Sequence, residues 1–179
     1  MFKKIFIAVA VVFAAFLIFV ALQPSEVRVE RTATIAAPPA VVFAQVNDFH
    51  KWEAWSPWAK LDPAAKVTFE GAPAGPGAVF TWSGNDEVGA GRMTLSESRP
   101  DDYIKIDVAF TKPMAGNSTS EFTFKPDGNQ TAVIWTTTGR NNFVGKFFCL
   151  FFDPEEILGG ALEQGLAQLK TVAEAAAGG

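Results

Sequence analysis

Few side chains in this sequence have the chemistry for acid/base or metal catalysis at a useful spacing. The single histidine, His50, has no His or Cys at the spacing of a metal ligand, and no Gly-x-Ser-x-Gly motif marks a nucleophilic serine. Glu70, Asp86 and Glu87 are the acids best placed to reach a cavity as a general acid or base, but strand-end and turn acids are usually solvated. We therefore predict no catalytic residue, no metal site and no cofactor.

Two glycine-containing segments resemble phosphate loops in composition alone. Residues 75–77 (Gly-Pro-Gly) precede a predicted strand, and residues 89–91 (Gly-Ala-Gly) begin one without a third glycine or a following helix. A tight turn and a bend in a sheet explain them better. The single cysteine, Cys149, has apolar neighbours and is interpreted as core filler rather than a reactive thiol.

The charge of the chain excludes one class of partner. It carries 15 basic and 19 acidic residues, for a net charge of −4, and has no stripe of Lys and Arg. Binding to the phosphate backbone of DNA or RNA requires a basic surface. We therefore expect no nucleic-acid partner.

Aromatic residues are the more promising candidates for a binding site. The chain has 17 Phe and 5 Trp, and Trp52, Trp55 and Trp58 lie within one short segment. Such large rigid rings can line the mouth of a cavity or form a hydrophobic plug between short helices and a sheet. The plug is favoured, because aromatic clusters are more often core than ligand contacts.

A second aromatic group follows helical spacing. Phe143, Phe147 and Phe151 recur every four residues, with Phe148 and Phe152 beside them, so the apolar stripe is wider than one sheet face needs. Contact with lipid, a hydrophobic lid over a cavity and ordinary core packing all remain open for this stripe.

The N-terminus contains an apolar run that we interpret as a membrane anchor. Residues 5–22 have no charged or polar side chain and would form a helix about 27 Å long, close to the thickness of the hydrocarbon core. A cleavable signal peptide usually has a shorter apolar region followed by small residues, and residues 19–24 are a poor cleavage site. Lys3 and Lys4 favour a cytoplasmic N-terminus, which would place the domain in the periplasm of a Gram-negative bacterium, on its inner membrane.

After the N-terminal apolar run, the hydrophobic pattern of the chain predicts one α+β domain. Apolar and polar residues alternate over residues 27–35, which indicates a half-buried strand. Two short helices and six further strands separated by hairpin turns follow, so the strands complete a seven-stranded antiparallel sheet. A long amphipathic helix over about residues 155–176 covers one face of the sheet. The predicted boundaries are an anchor at 1–22, a linker at 23–26, the domain at 27–176 and a flexible tail at 177–179.

This order of elements resembles the helix-grip fold of the SRPBCC superfamily (START / Bet v 1-like proteins). The local sequence motifs are similar to those of its bacterial polyketide cyclase/dehydrase-type branch. The resemblance implies a sheet curved into a cup around the long C-terminal helix. It is carried by residues 35–38, 42–43, 55–58, 69–71, 75–78, 88–91 and 163–166, with Trp52, Trp82, Leu169 and Lys170.

The resemblance implies that the cup binds an apolar small molecule, such as a lipid, a quinone or a polyketide-like compound, and with the anchor it predicts a membrane-anchored binding protein. The alternatives are a cyclase or dehydratase acting on such a ligand, and an interaction module whose cup is filled by its own side chains. Small residues at 159–161 and 165 make the final helix slim, which predicts free space of about 300 Å³ or more beneath it. The residues predicted to contact the ligand are Trp52, Trp55, Phe80, Trp82, Phe110, Phe122, Trp135, Phe147, Phe151, Leu162 and Leu166.

Overall fold

The computed structural model describes residues 2–178, and its helices and strands follow the predicted order. Met1 and Gly179, the last residue of the predicted tail, lie outside the described residues. The helices are α1 (Phe2–Leu22), α2 (Pro39–Val46), a 3-10 helix (Phe49–Ala54), α3 (Phe143–Phe148) and α4 (Pro154–Ala177). The strands are β1 (Glu26–Ile35), β2 (Lys66–Gly71), β3 (Ala78–Ser83), β4 (Ala90–Arg99), β5 (Tyr103–Lys112), β6 (Gly116–Asp127) and β7 (Gln130–Arg140).

The strands form one antiparallel sheet, as predicted. Its order is β1-β7-β6-β5-β4-β3-β2, so every hairpin joins neighbours and the first strand pairs with the last. Alternate residues of β5, namely Ile104, Ile106 and Val108, are buried, which identifies the inner face of the sheet. The predicted α+β helix-grip fold is confirmed.

Helix α4 lies against the inner face along β1. Leu162, Leu166 and Leu169 are each at most 2% exposed, so the predicted amphipathic stripe is buried. On the β1 side, the Arg31 guanidinium donates from Nε to Glu163 Oε1 (2.6 Å) and from Nη1 to Glu155 Oε1 (2.5 Å). These ion pairs join the N-terminal half of α4 to β1.

The C-terminal half of α4 is joined to the end of β1 through Glu174. Its Oε1 accepts hydrogen bonds from Lys170 Nζ (2.6 Å) and from the Ala36 backbone N–H (2.7 Å). Lys170 Nζ also donates to the Thr34 carbonyl oxygen (2.9 Å). The hydrogen bonds from Lys170 and Ala36 lower the pKa of the Glu174 carboxyl below its ordinary value of 4.5.

We expect this carboxylate to make the domain less stable in acid. A carboxyl whose pKa is lowered by folding contributes stability above its unfolded pKa, and that contribution is lost as the pH falls through the lower folded pKa. Thermal unfolding of the full chain in detergent, followed by circular dichroism between about pH 6 and about pH 3, should show this loss. Glu174→Gln should start from a lower melting temperature and change less over this range. An equal change in both proteins would contradict the assignment.

Helix α1 extends away from the domain and touches it at α3. The Phe16 and Phe147 rings meet edge to face with centroids 6.2 Å apart, and Lys146 Nζ donates to the Ala21 carbonyl oxygen (2.8 Å). The helix is long and apolar enough to cross a bilayer, a property that it shares with signal sequences.

Candidate functional site

The aromatic residues predicted to contact a ligand divide into three groups, and the first is a closed core. Trp52, Trp55, Phe122 and Trp135 are each at most 5% exposed. The Phe122 and Trp135 rings stack with centroids 4.7 Å apart, and Trp55 meets Trp135 edge to face at 5.8 Å. These rings pack against one another between the sheet, the 3-10 helix and α4.

Each buried indole of this core has a hydrogen-bond acceptor. Trp52 Nε1 donates to the Val46 carbonyl (2.9 Å), Trp55 Nε1 to the Gln45 carbonyl (3.1 Å) and Trp135 Nε1 to Ser120 Oγ (2.6 Å). A satisfied and close-packed indole is typical of a structural core residue. This geometry agrees with the plug interpretation of the tryptophan cluster.

At two of its glycines the slim helix packs against large side chains, so the free space predicted beneath it is not present there. A Cβ atom at Gly165 would lie 2.6 Å from Trp135 Cζ3 and 3.1 Å from Pro57 Cδ, and one at Gly159 would overlap the Arg31 guanidinium. Gly159 and Gly165 therefore allow close packing of large partners, whereas a Cβ at Gly160 would meet no atom within 4 Å. Leu162 and Leu166 lie in the same core, and their contact with a ligand stays a prediction.

The second group, Phe80, Trp82 and Phe110, stays partly exposed and forms a row on the inner face. Val67 and Phe69 of β2 extend this row, and we call the five residues the outer aromatic strip. Neighbouring ring centroids are 5.5 Å (Phe69 to Phe80), 6.1 Å (Phe80 to Trp82) and 5.7 Å (Trp82 to Phe110) apart. Val67 is 48%, Phe69 41% and Phe110 40% exposed. The strip is an open apolar surface in the cup.

The position of α4 explains why the strip is open. The helix packs along β1, at one edge of the sheet, whereas the strip lies mainly on β2 and β3 at the other edge. A single helix about 10 Å wide covers only part of a sheet whose strands are about 4.8 Å apart. The inner face of β2 and β3 therefore extends beyond the cover that α4 provides.

Residues 89–91 shape the strip. The Trp82 ring lies over Gly91, where a Cβ would come 2.5 Å from Cη2, and Trp82 Nε1 donates to the Val88 carbonyl (3.0 Å). The pairing of β4 with β5 shifts register between Ala90 and Gly91, so the interpretation of this segment as a bend in the sheet is confirmed. Residues 75–77 form a turn in which Gly75 and Gly77 have positive φ.

One end of the strip lies at the same end of the strands as the junction between α1 and β1. Phe110 pairs with Gly116 at the start of β6, and Glu26, which follows α1, pairs with Arg140 at the end of β7. Because neighbouring strands are antiparallel, the start of β1 and the end of β5 lie at the same end of the sheet. The strip therefore opens on the same side as the N-terminal helix.

A polar side chain contacts the other end of the strip. The His50 imidazole stacks on the Phe69 ring with centroids 4.1 Å apart, and its Nδ1 is 2.9 Å from Asp48 Oδ1. Asp48 also accepts a hydrogen bond from the His50 backbone N–H as the N-cap of the 3-10 helix.

Glu70, Asp86 and Glu87 are exposed, as expected. Among residues 2–178, no three His, Cys, Asp or Glu side chains are grouped to hold a metal ion.

The third group, on and after α3, lies apart from the strip. Phe147 packs against Phe16 of α1, and the Phe151 ring lies 5.3 Å from Phe147 while remaining 66% exposed. Cys149, in the same segment, is half-buried, so its interpretation as core filler is wrong. Its Sγ accepts a hydrogen bond from Asn141 Nδ2 (3.1 Å). It lines a crevice of about 290 Å³ with Lys146 and residues at the start of β1.

Sequence reasoning missed two members of the strip, Phe69 and Val67. The alternation of Val67 and Phe69 along β2 was the available signal, since residues two apart share a face. Their exposure depends on how far α4 extends across the sheet, and a strand pattern does not contain that information.

The sheet, the long helix across it and the aromatic inner face define a helix-grip domain. The chain belongs to the family described as polyketide cyclase / dehydrase and lipid transport, whose model matches residues 26–174. The resemblance to this branch of the SRPBCC superfamily is thereby confirmed.

Solved structures with low sequence identity share the fold. The di-domain ARO/CYC StfQ from the steffimycin biosynthetic pathway has a TM-score of 0.63 at 14% identity, over 87% of this chain and 53% of that one. The Aha1 dimer from Colwellia psychrerythraea has a TM-score of 0.60 at 16% identity, over 83% and 96% of the two chains. A protein from Chromobacterium violaceum has a TM-score of 0.59 at 17% identity, over 85% and 99%. No curated protein matches this sequence significantly.

Proposed function

We propose that this domain binds an apolar small molecule, such as a lipid, a quinone or a polyketide-like compound, along the outer aromatic strip. The observation that carries the proposal is the row of partly exposed aromatic rings on the inner face of a helix-grip sheet. The family description, which includes lipid transport, supports the same class of ligand.

The packing of the strip supports binding rather than incidental exposure. Trp82 is held by its hydrogen bond to Val88 and by close contact with Gly91, so its ring is already ordered before a ligand arrives. Contiguous exposed apolar surface is uncommon on monomeric domains and often marks a binding site. At the far end, the His50 ring supplies a polar group for an oxygen of the ligand.

We also propose that α1 is a retained anchor that holds the domain on the periplasmic face of a bacterial inner membrane. Lys3 and Lys4 before the apolar run support this orientation. Because the Phe110 end of the strip lies at the same end of the strands as α1, an apolar molecule leaving the bilayer would enter the strip from the end of the sheet that faces the membrane.

Photo-crosslinking tests the binding proposal. The full chain in phospholipid vesicles would be labelled with a diazirine fatty acid and a diazirine quinone analogue, and labelled peptides identified by mass spectrometry. We expect labelling of β2, β3 and the end of β5. Phe69→Ser with Phe110→Ser should reduce labelling of β3 about tenfold, since two lost apolar contacts are worth at least about 1.4 kcal/mol together.

Ile157→Ser is the matched control, because this apolar side chain is exposed on α4 and lies outside both the strip and the segment after β7. It should leave labelling of β3 unchanged. Labelling confined to α1 and the segment after β7 would defeat the binding proposal, and an interaction module with a filled cup would replace it.

A further inference from the structure

The segment after β7 has a surface that the ligand-binding proposal does not use. We infer that residues 143–152, which we call the aromatic segment, insert into the bilayer interface beside α1 as a second membrane contact. This inference rests on the proposed role of α1 as a membrane anchor. The partner that covers the exposed side chains of the aromatic segment is the lipid bilayer itself.

The aromatic segment exposes large apolar side chains that have no cover within the domain. Phe151 is 66%, Phe152 56% and Phe148 44% exposed, and Phe143 and Val144 are each 45% exposed. No residue of α3 is buried. The segment is therefore not a core element, and an apolar surface of this kind indicates a partner that is itself apolar.

Contact with α1 sets the depth of the segment. Phe147 packs against Phe16, which lies six residues before Leu22, the last residue of α1. At 1.5 Å per residue, Phe16 is about 9 Å inside the apolar helix. If α1 spans the hydrocarbon core, which is about 30 Å thick, Phe147 lies within its outer part and the neighbouring phenylalanines lie at or near that depth.

Polar groups at the boundary fit this position. Lys146 Nζ donates to the Ala21 carbonyl oxygen near the C-terminus of α1, where a cation is favourable and a long lysine stem can reach the headgroup region. Asn142 caps α3 at one end of the segment and Asp153 caps α4 at the other, so polar residues flank the aromatic run.

A bilayer explains the surface better than a protein partner or a second copy of the chain. Any protein covering Phe148, Phe151 and Phe152 would have to enter the same membrane zone that α1 and Phe147 occupy. Lipid is already present there. A second contact would also fix the tilt of the domain on α1 and hold the Phe110 end of the outer aromatic strip facing the bilayer.

Depth-dependent quenching of a fluorophore tests the inference on the full chain. In a Cys149→Ala background, single cysteines from Phe151→Cys, Val12→Cys and Lys125→Cys would each carry an NBD label, and each protein would be reconstituted in vesicles of phosphatidylethanolamine and phosphatidylglycerol. Val12 reports the anchor, and Lys125 lies exposed near the opposite end of the sheet. Circular dichroism would check that all three proteins fold.

We expect the label at residue 151 to emit at shorter wavelength than the label at residue 125, and to be quenched several-fold more by nitroxide-labelled lipid than by iodide. The label at residue 12 should also be quenched more by nitroxide-labelled lipid than by iodide. The label at residue 125 should be quenched more by iodide than by nitroxide-labelled lipid. Lipid quenching at 12 with iodide quenching at 151 would overturn the aromatic-segment inference alone. Iodide quenching at both positions would overturn the anchor proposal as well.

Discussion

Replacing Leu166 with aspartate is expected to unfold the domain. Leu166 is 2% exposed and packs in the core beneath α4, beside the glycine that accommodates Trp135. The substitution removes a buried leucine, at a cost of about 2–5 kcal/mol, and places a carboxylate where it has no partner, which costs several kcal/mol more. Together these losses approach the total stability of a typical domain, about 5–15 kcal/mol. Urea unfolding of the full chain in detergent, followed by tryptophan fluorescence, measures the effect.

Gln164→Asp is the matched control, because Gln164 is exposed on the same helix two residues away. We expect its unfolding midpoint to stay close to that of the unmodified chain. Lys170 lies on the outer side of α4, as the helical pattern predicts. It is a poorer control, because its Nζ donates hydrogen bonds to the Thr34 carbonyl oxygen and to Glu174. Equal loss of stability in Leu166→Asp and Gln164→Asp would mean that the wrong face of the helix has been assigned to the core.

Deleting residues 1–22 is expected to convert the chain from a membrane protein into a folded domain in the aqueous fraction. Helix α1 contacts the rest of the chain at α3, and the sheet, α2 and α4 build their core without it. The full chain should stay with the membrane through an alkaline carbonate wash, and the truncated chain should be released. Circular dichroism and the melting temperature of the released protein then report whether it is folded.

The full chain carrying Phe16→Ala is the control for the α1–α3 contact, since it keeps the anchor and removes the ring that Phe147 touches. It should remain in the washed membrane. A truncated chain that aggregates while Phe16→Ala stays folded would show that the anchor is part of the domain and that the boundary at residue 22 is wrong.

The sheet and its covering helix could be predicted because their signals are local. The alternation along β1 and the spacing of Leu158, Leu162 and Leu166 each identify the buried face of one element. Short turns of Gly, Pro, Asn and Asp then force neighbouring strands to pair in sequence order. No long-range information is needed until β1 pairs with β7.

The state of the cup depends on contacts between residues far apart in the chain. The small residues of α4 are equally compatible with an empty pocket and with a close-packed one. Trp135 from β7 and Pro57 from the segment after the 3-10 helix occupy the room at Gly165, and Arg31 from β1 occupies the room at Gly159. Which side chain fills a gap is a property of packing in three dimensions, so the sequence pattern could not decide it.

The candidate site shows the same division. By itself the sequence determined that aromatic residues would face the inner side of an antiparallel sheet, because residues two apart in a strand share a face. The tertiary structure alone separated Trp55, Phe122 and Trp135, which are buried together, from Phe69 and Phe110, which remain about 40% exposed. The physical reason is the placement of α4 along β1: the helix and the 3-10 segment close one half of the inner face and leave the β2 and β3 half open.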